Sequence, residues 1–323
     1  MPPLIPPELA RAFALSAEGR NDEALAIIRH EADRGDPEAI FTLADMYWRG
    51  MVVEPDYGQG RLLFARAAEA GHPMAGRAYT NLLATGIAGP RDWPAAMARL
   101  REEARVDSRR GWMLRLIEAM DLTPTGFVVS PPRGETISER PDIMVFRGLF
   151  TPDECDFLVA VAEPTFTASK IFIDETRAEA HPLRTSNDAP IHWIIEDPAI
   201  HALNRRIAAA SGTRYEQAEP LLILRYRPGQ EYRKHLDWLP GVDNQRFKTA
   251  LVYLNEDYEG GETEFVQLRF KFRGRKGDAI VFRNTLDDGR ADPLTEHAGL
   301  PVISGTKYLA SRWIRERRYT PGV

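Results

Sequence analysis

Apolar residues follow two different rhythms along this chain. Over the first third they recur at helical spacing, and the spacing itself repeats. Gly35-Asp36-Pro37-Glu38-Ala39 returns as Gly71-His72-Pro73-Met74-Ala75, a shift of 36 residues, and Gly50 returns at the same shift as Gly86. The second helix of each pair keeps this register: Ala24, Gly60 and Ala96 correspond, as do Ile28, Phe64 and Leu100, and Ala32, Ala68 and Ala104. A fixed period of this size predicts stacked helix pairs, with small residues at matched positions where helices approach closely. In the third copy Asp107 replaces the closing glycine, as expected of a capping unit.

Turn formers then interrupt the helical pattern, first at Leu122-Thr123-Pro124-Thr125-Gly126 and again at Ser130-Pro131-Pro132-Arg133-Gly134. Beyond them Ile143-Met144-Val145-Phe146 reads as a strand. Thr151-Pro152-Asp153-Glu154 reads as a capped helix start, with the helix running to about Glu163. A second helix is expected from Pro198 to Ala210, closed by Ser211-Gly212. The rest is short β-rich runs: Leu221 to Tyr226, Thr249 to Leu254, Asp278 to Phe282, and Lys307 to Trp313. The expected fold is α+β in two domains, a helical repeat array over 1–120 and a double-stranded β-helix (jelly roll) over 121–323.

Composition narrows the partners. A length of 323 residues suits two domains, and 43% hydrophobic with 28% charged residues suits globular cores. The net charge of -5 supplies no basic excess for nucleic acid or anionic lipid. The lone Cys155 excludes an intrachain disulfide and a cysteine zinc site. Neither a signal peptide nor a membrane-length apolar stretch is legible, so a cytoplasmic location is expected.

Metal chemistry is suggested by His235-Leu236-Asp237. On an extended strand, residues two apart leave from the same face and offer two ligands together. With His297 they make two histidines and one carboxylate, a set that leaves coordination positions open on non-haem Fe(II). The dipeptide spacing alone favours a surface histidine beside a solvated aspartate.

Its neighbours tip the balance. In order the chain reads Arg184-Thr185-Ser186, Tyr226 with Pro228-Gly229-Gln230 and Tyr232, the His235-Leu236-Asp237 triplet, and Thr249-Ala250-Leu251-Val252-Tyr253-Leu254-Asn255. It continues with Gly260-Gly261-Glu262-Thr263, Lys276-Gly277-Asp278-Ala279-Ile280-Val281-Phe282, His297, Gly305-Thr306-Lys307 and Trp313. Over about residues 137 to 316 this series resembles the prolyl 4-hydroxylase branch of the 2-oxoglutarate oxygenases. Residues 20 to 110 resemble the Sel1-like members of the tetratricopeptide superfamily, which implies a surface for a peptide or protein, or equally a brace or dimer face.

The resemblance implies roles at matching positions. His235, Asp237 and His297 would hold Fe(II). Lys307 would pair with the distal carboxylate of 2-oxoglutarate, Tyr226 and Thr263 would hydrogen-bond that co-substrate, and Trp313 would line its pocket. Arg184, Ser186 and Arg246 would flank a substrate groove. With O₂ the expected products are succinate, CO₂ and a hydroxylated peptidyl residue, proline first, on a peptide or protein that the helical repeats could dock. Asp237 favours hydroxylation, since a related halogenase site would carry a small residue there. Two positions depart from the family pattern: Leu300 replaces a usual cysteine and Tyr308 a usual tryptophan. Between Ile171 and Pro190, where the substrate lid is expected, only Arg184-Thr185-Ser186 matches. His30, His72, His181, His192 and His201 match no ligand position.

Competing readings are a hydroxylase of a free amino acid or small metabolite, a cupin-type dioxygenase with the same triad and no oxo acid, and a non-catalytic repeat adaptor. Lys307 and Gly260-Gly261-Glu262-Thr263 argue against the second, and the intact triad with Lys307 against the third.

Overall fold

The helical period becomes physical at its glycines. In the computed structural model, which describes residues 6–172, 178–179 and 182–320, Gly35 and Gly71 adopt φ of +90° and +87°. Each ends one helix so that Asp36 or His72 can cap the next, accepting from the N–H of Ala39 or Ala75. Pro37 and Pro73 occupy the first helical turn, where a missing N–H costs nothing. Ala39 and Ala75 are fully buried, as are Phe64, Ala96 and Leu100, with Ala24, Ile28 and Ala32 nearly so. A Cβ on Gly60 would stand 3.3 Å from the Ala44 carbonyl, so the small-residue register reflects close helix approach.

The helices are α1 (Pro7–Ala17), α2 (Asn21–Asp33), α3 (Pro37–Arg49), α4 (Tyr57–Glu69), α5 (Pro73–Thr85), α6 (Trp93–Glu103) and α7 (Ser108–Ala119). Consecutive helices from α1 to α6 pack on one another. At α7 the Asp107 carboxylate accepts from the N–H groups of Arg109 and Arg110, so the residue that replaces the glycine does the capping. Among described residues, the first compact unit takes 6–114 together with Trp193–Pro198, a segment held by Asn81 Nδ2 donating to the Ile194 carbonyl at 3.0 Å.

The second unit spans Arg115–His192 and Ala199–Thr320. Its strands are β1 (Glu135–Glu139), β2 (Asp142–Phe146), β3 (Thr167–Ala168), β4 (Ile171–Phe172), β5 (Ala178–Glu179), β6 (Asn187–Ile191), β7 (Leu221–Tyr226) and β8 (Tyr232–His235). They continue with β9 (Arg246–Tyr253), β10 (Tyr258–Gly260), β11 (Thr263–Phe265), β12 (Phe270–Phe272), β13 (Ala279–Arg283), β14 (His297–Gly299), β15 (Val302–Gly305) and β16 (Lys307–Arg315). The helices are α8 (Pro152–Ala162) and α9 (Pro198–Ser211).

A major antiparallel sheet runs β1-β2-β13-β9-β16-β7-β6-β3, and a minor one runs β12-β11-β14-β8. Leu222, Leu224 and Tyr226 of β7, Leu251 and Tyr253 of β9, Ile280 and Phe282 of β13, and Leu309 and Trp313 of β16 share one cluster with Phe265 and Phe272 of the minor sheet. Alternate residues of each strand therefore face the facing sheet, which is the period-2 pattern of a jelly roll. The α8 start is a capping box: Thr151 Oγ1 accepts from Glu154 N–H, and Glu154 accepts from Thr151 N–H. Gly277 is obligatory in its motif, because at φ +90° a Cβ would fall 2.0 Å from the Phe150 carbonyl oxygen.

Candidate active site

Pairing of β8 with β14 places His235 directly opposite His297, their ring centroids 4.3 Å apart. The β8 strand ends at His235, and Asp237 sits two residues on at a bend. The shared strand face expected for His-x-Asp is thus replaced by a strand end and a bend, which still bring the side chains together. His235 Nε2 lies 3.7 Å from Asp237 Oδ1, and His297 Nε2 lies 3.8 Å from Asp237 Oδ2. Ligand atoms of all three residues fall within 4.8 Å of one another.

Their protonation suits a cation. His235 Nδ1 donates to the Arg233 carbonyl at 2.7 Å, and His297 Nδ1 to the Thr295 carbonyl at 3.0 Å. With the proton on Nδ1, each Nε2 keeps its lone pair toward the centre, the tautomer a metal ligand needs. Burial, reinforced by nearby His297, pushes His235 down to about 3, so this ring stays neutral. Burial works against ionisation of Asp237, but His297, His235, the Thr249 hydroxyl and the Arg246 guanidinium overcome it and hold the carboxyl below its ordinary value. Two imidazole lone pairs and one ionised carboxylate, on one side of a pocket, fit a non-haem Fe(II) ion.

The same pocket carries the co-substrate positions. Tyr226, Thr263, Lys307 and Trp313 line it with the triad, alongside Arg184, Tyr232, Leu224, Leu251 and Ser311. Lys307 lies opposite Tyr226 where β16 pairs with β7, and Thr263 opposite Gly299 where β11 pairs with β14. Lys307 Nζ donates to the Gly261 carbonyl at 2.6 Å and sits 5.4 Å and 5.2 Å from the ring centres of Tyr226 and Tyr253. Burial drives its pKa down to about 7, only partly opposed by Glu262. The glycines explain themselves here. Gly260 and Gly261 have positive φ, and a Cβ on Gly261 would press to 3.2 Å from Lys307 Cδ. Thr263 Oγ1 lies 2.7 Å from the Tyr253 hydroxyl. The Trp313 Nε1 donor is buried and has no hydrogen-bond partner among the described residues.

Of the substrate-groove candidates, Arg184 lines the pocket, and Ser186 stands behind it as its hydrogen-bond partner. Arg184 is buried, donates from Nε to Ser186 Oγ at 3.2 Å, and lies 5.2 Å over the Tyr232 ring. Tyr232 in turn stacks on His235 at 3.5 Å. Ser186 Oγ is 2.8 Å from Ser169 Oγ. Arg246 makes a bidentate pair with Glu219 at 2.6 and 2.7 Å and lies 3.8 Å over the Trp313 ring. It therefore borders the pocket through Trp313. Of the expected lid, residues 173–177 and 180–181, His181 included, lie outside the described residues.

Two functional side chains escaped sequence reasoning. Thr249 Oγ1 donates to Asp237 Oδ2 at 2.6 Å, and Asn284 Nδ2 donates to Thr249 Oγ1 at 2.9 Å. The available signal was parity: Thr249 shares its strand face with Leu251 and Tyr253, so a hydroxyl was bound to face inward.

The family model described as the 2OG-Fe(II) oxygenase superfamily matches residues 221–315. Prolyl 4-hydroxylase 1 of Arabidopsis thaliana is 32% identical over 203 residues, spanning 57% of this chain and 72% of that protein. The chain belongs to the prolyl 4-hydroxylase family of 2-oxoglutarate/Fe(II) oxygenases. Among solved structures, this oxygenase is similar to a viral collagen prolyl hydroxylase from Paramecium bursaria Chlorella virus-1 in a 2OG complex. That match is 29% identical, covers 54% of this chain and 95% of the other, and has a TM-score of 0.40. A Sel1 repeat protein from Oxalobacter formigenes is 26% identical over 33% of this chain and 85% of its own, with a TM-score of 0.31. No helix among the described residues of the oxygenase is long and apolar enough to cross a membrane.

Proposed function

We propose that this oxygenase hydroxylates a peptidyl residue, proline first, while 2-oxoglutarate is converted to succinate and CO₂. One O₂ supplies one oxygen atom to the new carboxylate of succinate and one to the substrate hydroxyl, so the reaction balances. The observation that carries the reading is a single pocket holding both the His235, Asp237, His297 triad and a buried ammonium, Lys307, that no described carboxylate pairs at salt-bridge distance. A buried cation calls for an anion, and a dicarboxylate reaching from metal to lysine supplies one. Iron held by the triad would supply the oxygen-activating chemistry.

In this reading the chain's residues divide the work. Lys307 receives the distal carboxylate, Tyr226 and Thr263 offer hydroxyls to the co-substrate, and Trp313 lines its pocket. Arg184, whose Nη2 lies 3.7 Å from the Asp188 carboxylate, meets the substrate at the same pocket, with Ser186 holding its Nε. Arg246 contributes by fixing Trp313, which lines the pocket. The name shared by the relatives, prolyl 4-hydroxylase, favours proline.

The test is a proline-containing peptide incubated with the protein, Fe(II) and 2-oxoglutarate. Mass spectrometry should find one added oxygen on proline, equimolar with succinate. Oxygen appearing on free amino acids or metabolites and never on peptides would overturn the peptidyl reading.

We further propose that the repeats dock the protein that carries this residue. Within the first unit a cavity of about 340 Å³ is lined by Phe41, Phe64, Met74, Asn81, Arg110 and Ile195, with Met74 and Ile195 substantially exposed. Tethering a substrate there would raise its effective concentration without any change in the chemistry. Met74→Glu is then expected to raise KM for a protein substrate several-fold and leave KM for a short peptide unchanged. Equal KM values for both substrates in parent and variant would remove the docking role.

A further inference from the structure

We infer that Thr249, held by Asn284, is a positioning residue that fixes the rotation of the Asp237 carboxylate and so sets the metal affinity of the triad. The inference rests on the metal-binding reading of His235, Asp237 and His297.

The three residues form a directed chain. Asn284 Nδ2 donates to Thr249 Oγ1 at 2.9 Å, and Thr249 Oγ1 donates to Asp237 Oδ2 at 2.6 Å. A hydroxyl has one proton. Because the Asn284 amide donates to its oxygen, that proton is left for the carboxylate, and the carboxylate, able only to accept, selects this orientation. Turning the amide over would set Asn284 Oδ1 against Thr249 and pull the proton away from Asp237, leaving two acceptors in contact. Oδ1 of Asp237 receives no hydrogen bond from the described residues and is the oxygen free for a cation.

Backbone structure holds the chain in place. Thr249 is fully buried in the centre of the major sheet, between Phe282 of β13 and Trp313 of β16. Asn284 is 1% exposed just past β13, with its N–H on the Phe247 carbonyl and its own carbonyl on the Asp292 N–H. Asp237, by contrast, stands at a bend just past β8, outside the strand ladder. The major sheet thus fixes the place of the hydroxyl that meets Asp237. Outer contacts of this kind commonly change metal affinity by about 10- to 100-fold.

Mn(II) serves as the probe, since it prefers the same donors and can be titrated by the loss of its free-ion EPR signal. Thr249→Val keeps the branched shape and removes only the hydroxyl. Its Mn(II) affinity is expected to fall about 10- to 100-fold, and Thr249→Ser should restore most of it. Asn284→Ala should weaken binding less. In the Thr249→Val background it should add almost nothing, because Asn284 acts through Thr249. Parent-like Mn(II) affinity in Thr249→Val, or full additivity of the two substitutions, would overturn the inference. Should Thr249→Val fail to fold, Asn284→Ala and Thr249→Ser still decide it: no loss with the first, or a large loss with the second, counts against the relay. A parent protein that binds no Mn(II) would instead defeat the metal reading itself.

Discussion

Asp237→Ala and His297→Ala are each expected to abolish 2-oxoglutarate turnover and to lower metal affinity by more than the ~100-fold upper range of outer-contact losses. Each removes one of three anchors. Asp237 is also the only negative charge among them, so its loss leaves two neutral imidazoles to hold a dication. The fold should survive the first change. Asp237→Ala removes a buried carboxylate whose burial opposes its charge, and strands one hydroxyl, Thr249, at a cost of about 1 to 3 kcal/mol. His297→Ala opens a small void where the ring packs edge-on against Phe282 at 4.9 Å, so its melting point should drop further. Succinate formation and Mn(II) titration, read beside thermal melts, separate lost ligation from lost folding. Sustained succinate formation by either folded variant would sink the triad assignment.

How far the sequence showed these features depends on whether a residue's role is local. The repeats were legible because each mark acts on its neighbours: Gly35 and Gly71 turn the chain, Asp36 and His72 cap, Pro37 and Pro73 begin the helix. The helix from Pro152 and the strands around Leu224, Leu251 and Ile280 were legible for the same reason, since capping and alternation are local rules. The pairing of β8 with β14 was not. It joins distant segments, and nothing in either one names the other. Placing Asp237 on His235's strand failed because three residues, His235-Leu236-Asp237, cannot reveal where a strand stops. Thr249 passed as an ordinary β-branched strand former, its hydroxyl acquiring meaning only once the facing sheet delivers Asp237. Membership of Trp193–Pro198 in the repeat unit is another non-local fact, carried by the Asn81 contact to the Ile194 carbonyl. The likeness to a family supplied the site across those gaps, because it places residues in three dimensions without deriving their contacts.

Lys307→Ala is expected to weaken 2-oxoglutarate binding by about 2 to 5 kcal/mol, at least ~30-fold, because it strips a buried carboxylate of its counter-charge. Lys307→Arg should rescue only in part, since a planar guanidinium cannot take the place of a compact ammonium pressed against Gly261 and two aromatic rings. The protonation of the parent gives a second, independent readout. Without co-substrate, burial has lowered the lysine to about 7 from 10.5, so near neutral pH the ammonium is partly deprotonated. An incoming carboxylate favours the charged form and raises the pKa again. Binding should therefore take up about half a proton at pH 7 and close to a whole one by pH 8.5, and the observed heat should vary with the ionisation enthalpy of the buffer. The linkage to folding has the opposite sense. Because the folded pKa is depressed, the co-substrate-free fold carries the full penalty below about pH 7, and its stability rises with pH until the unfolded value near 10.5 is passed. Lys307→Met removes that penalty, so it should melt above the parent at pH 6 and approach it at pH 10 while binding 2-oxoglutarate poorly. Anaerobic calorimetry that finds parent-like affinity in Lys307→Ala, or binding heats independent of the buffer in the parent, would show that the anchor of the co-substrate is another residue.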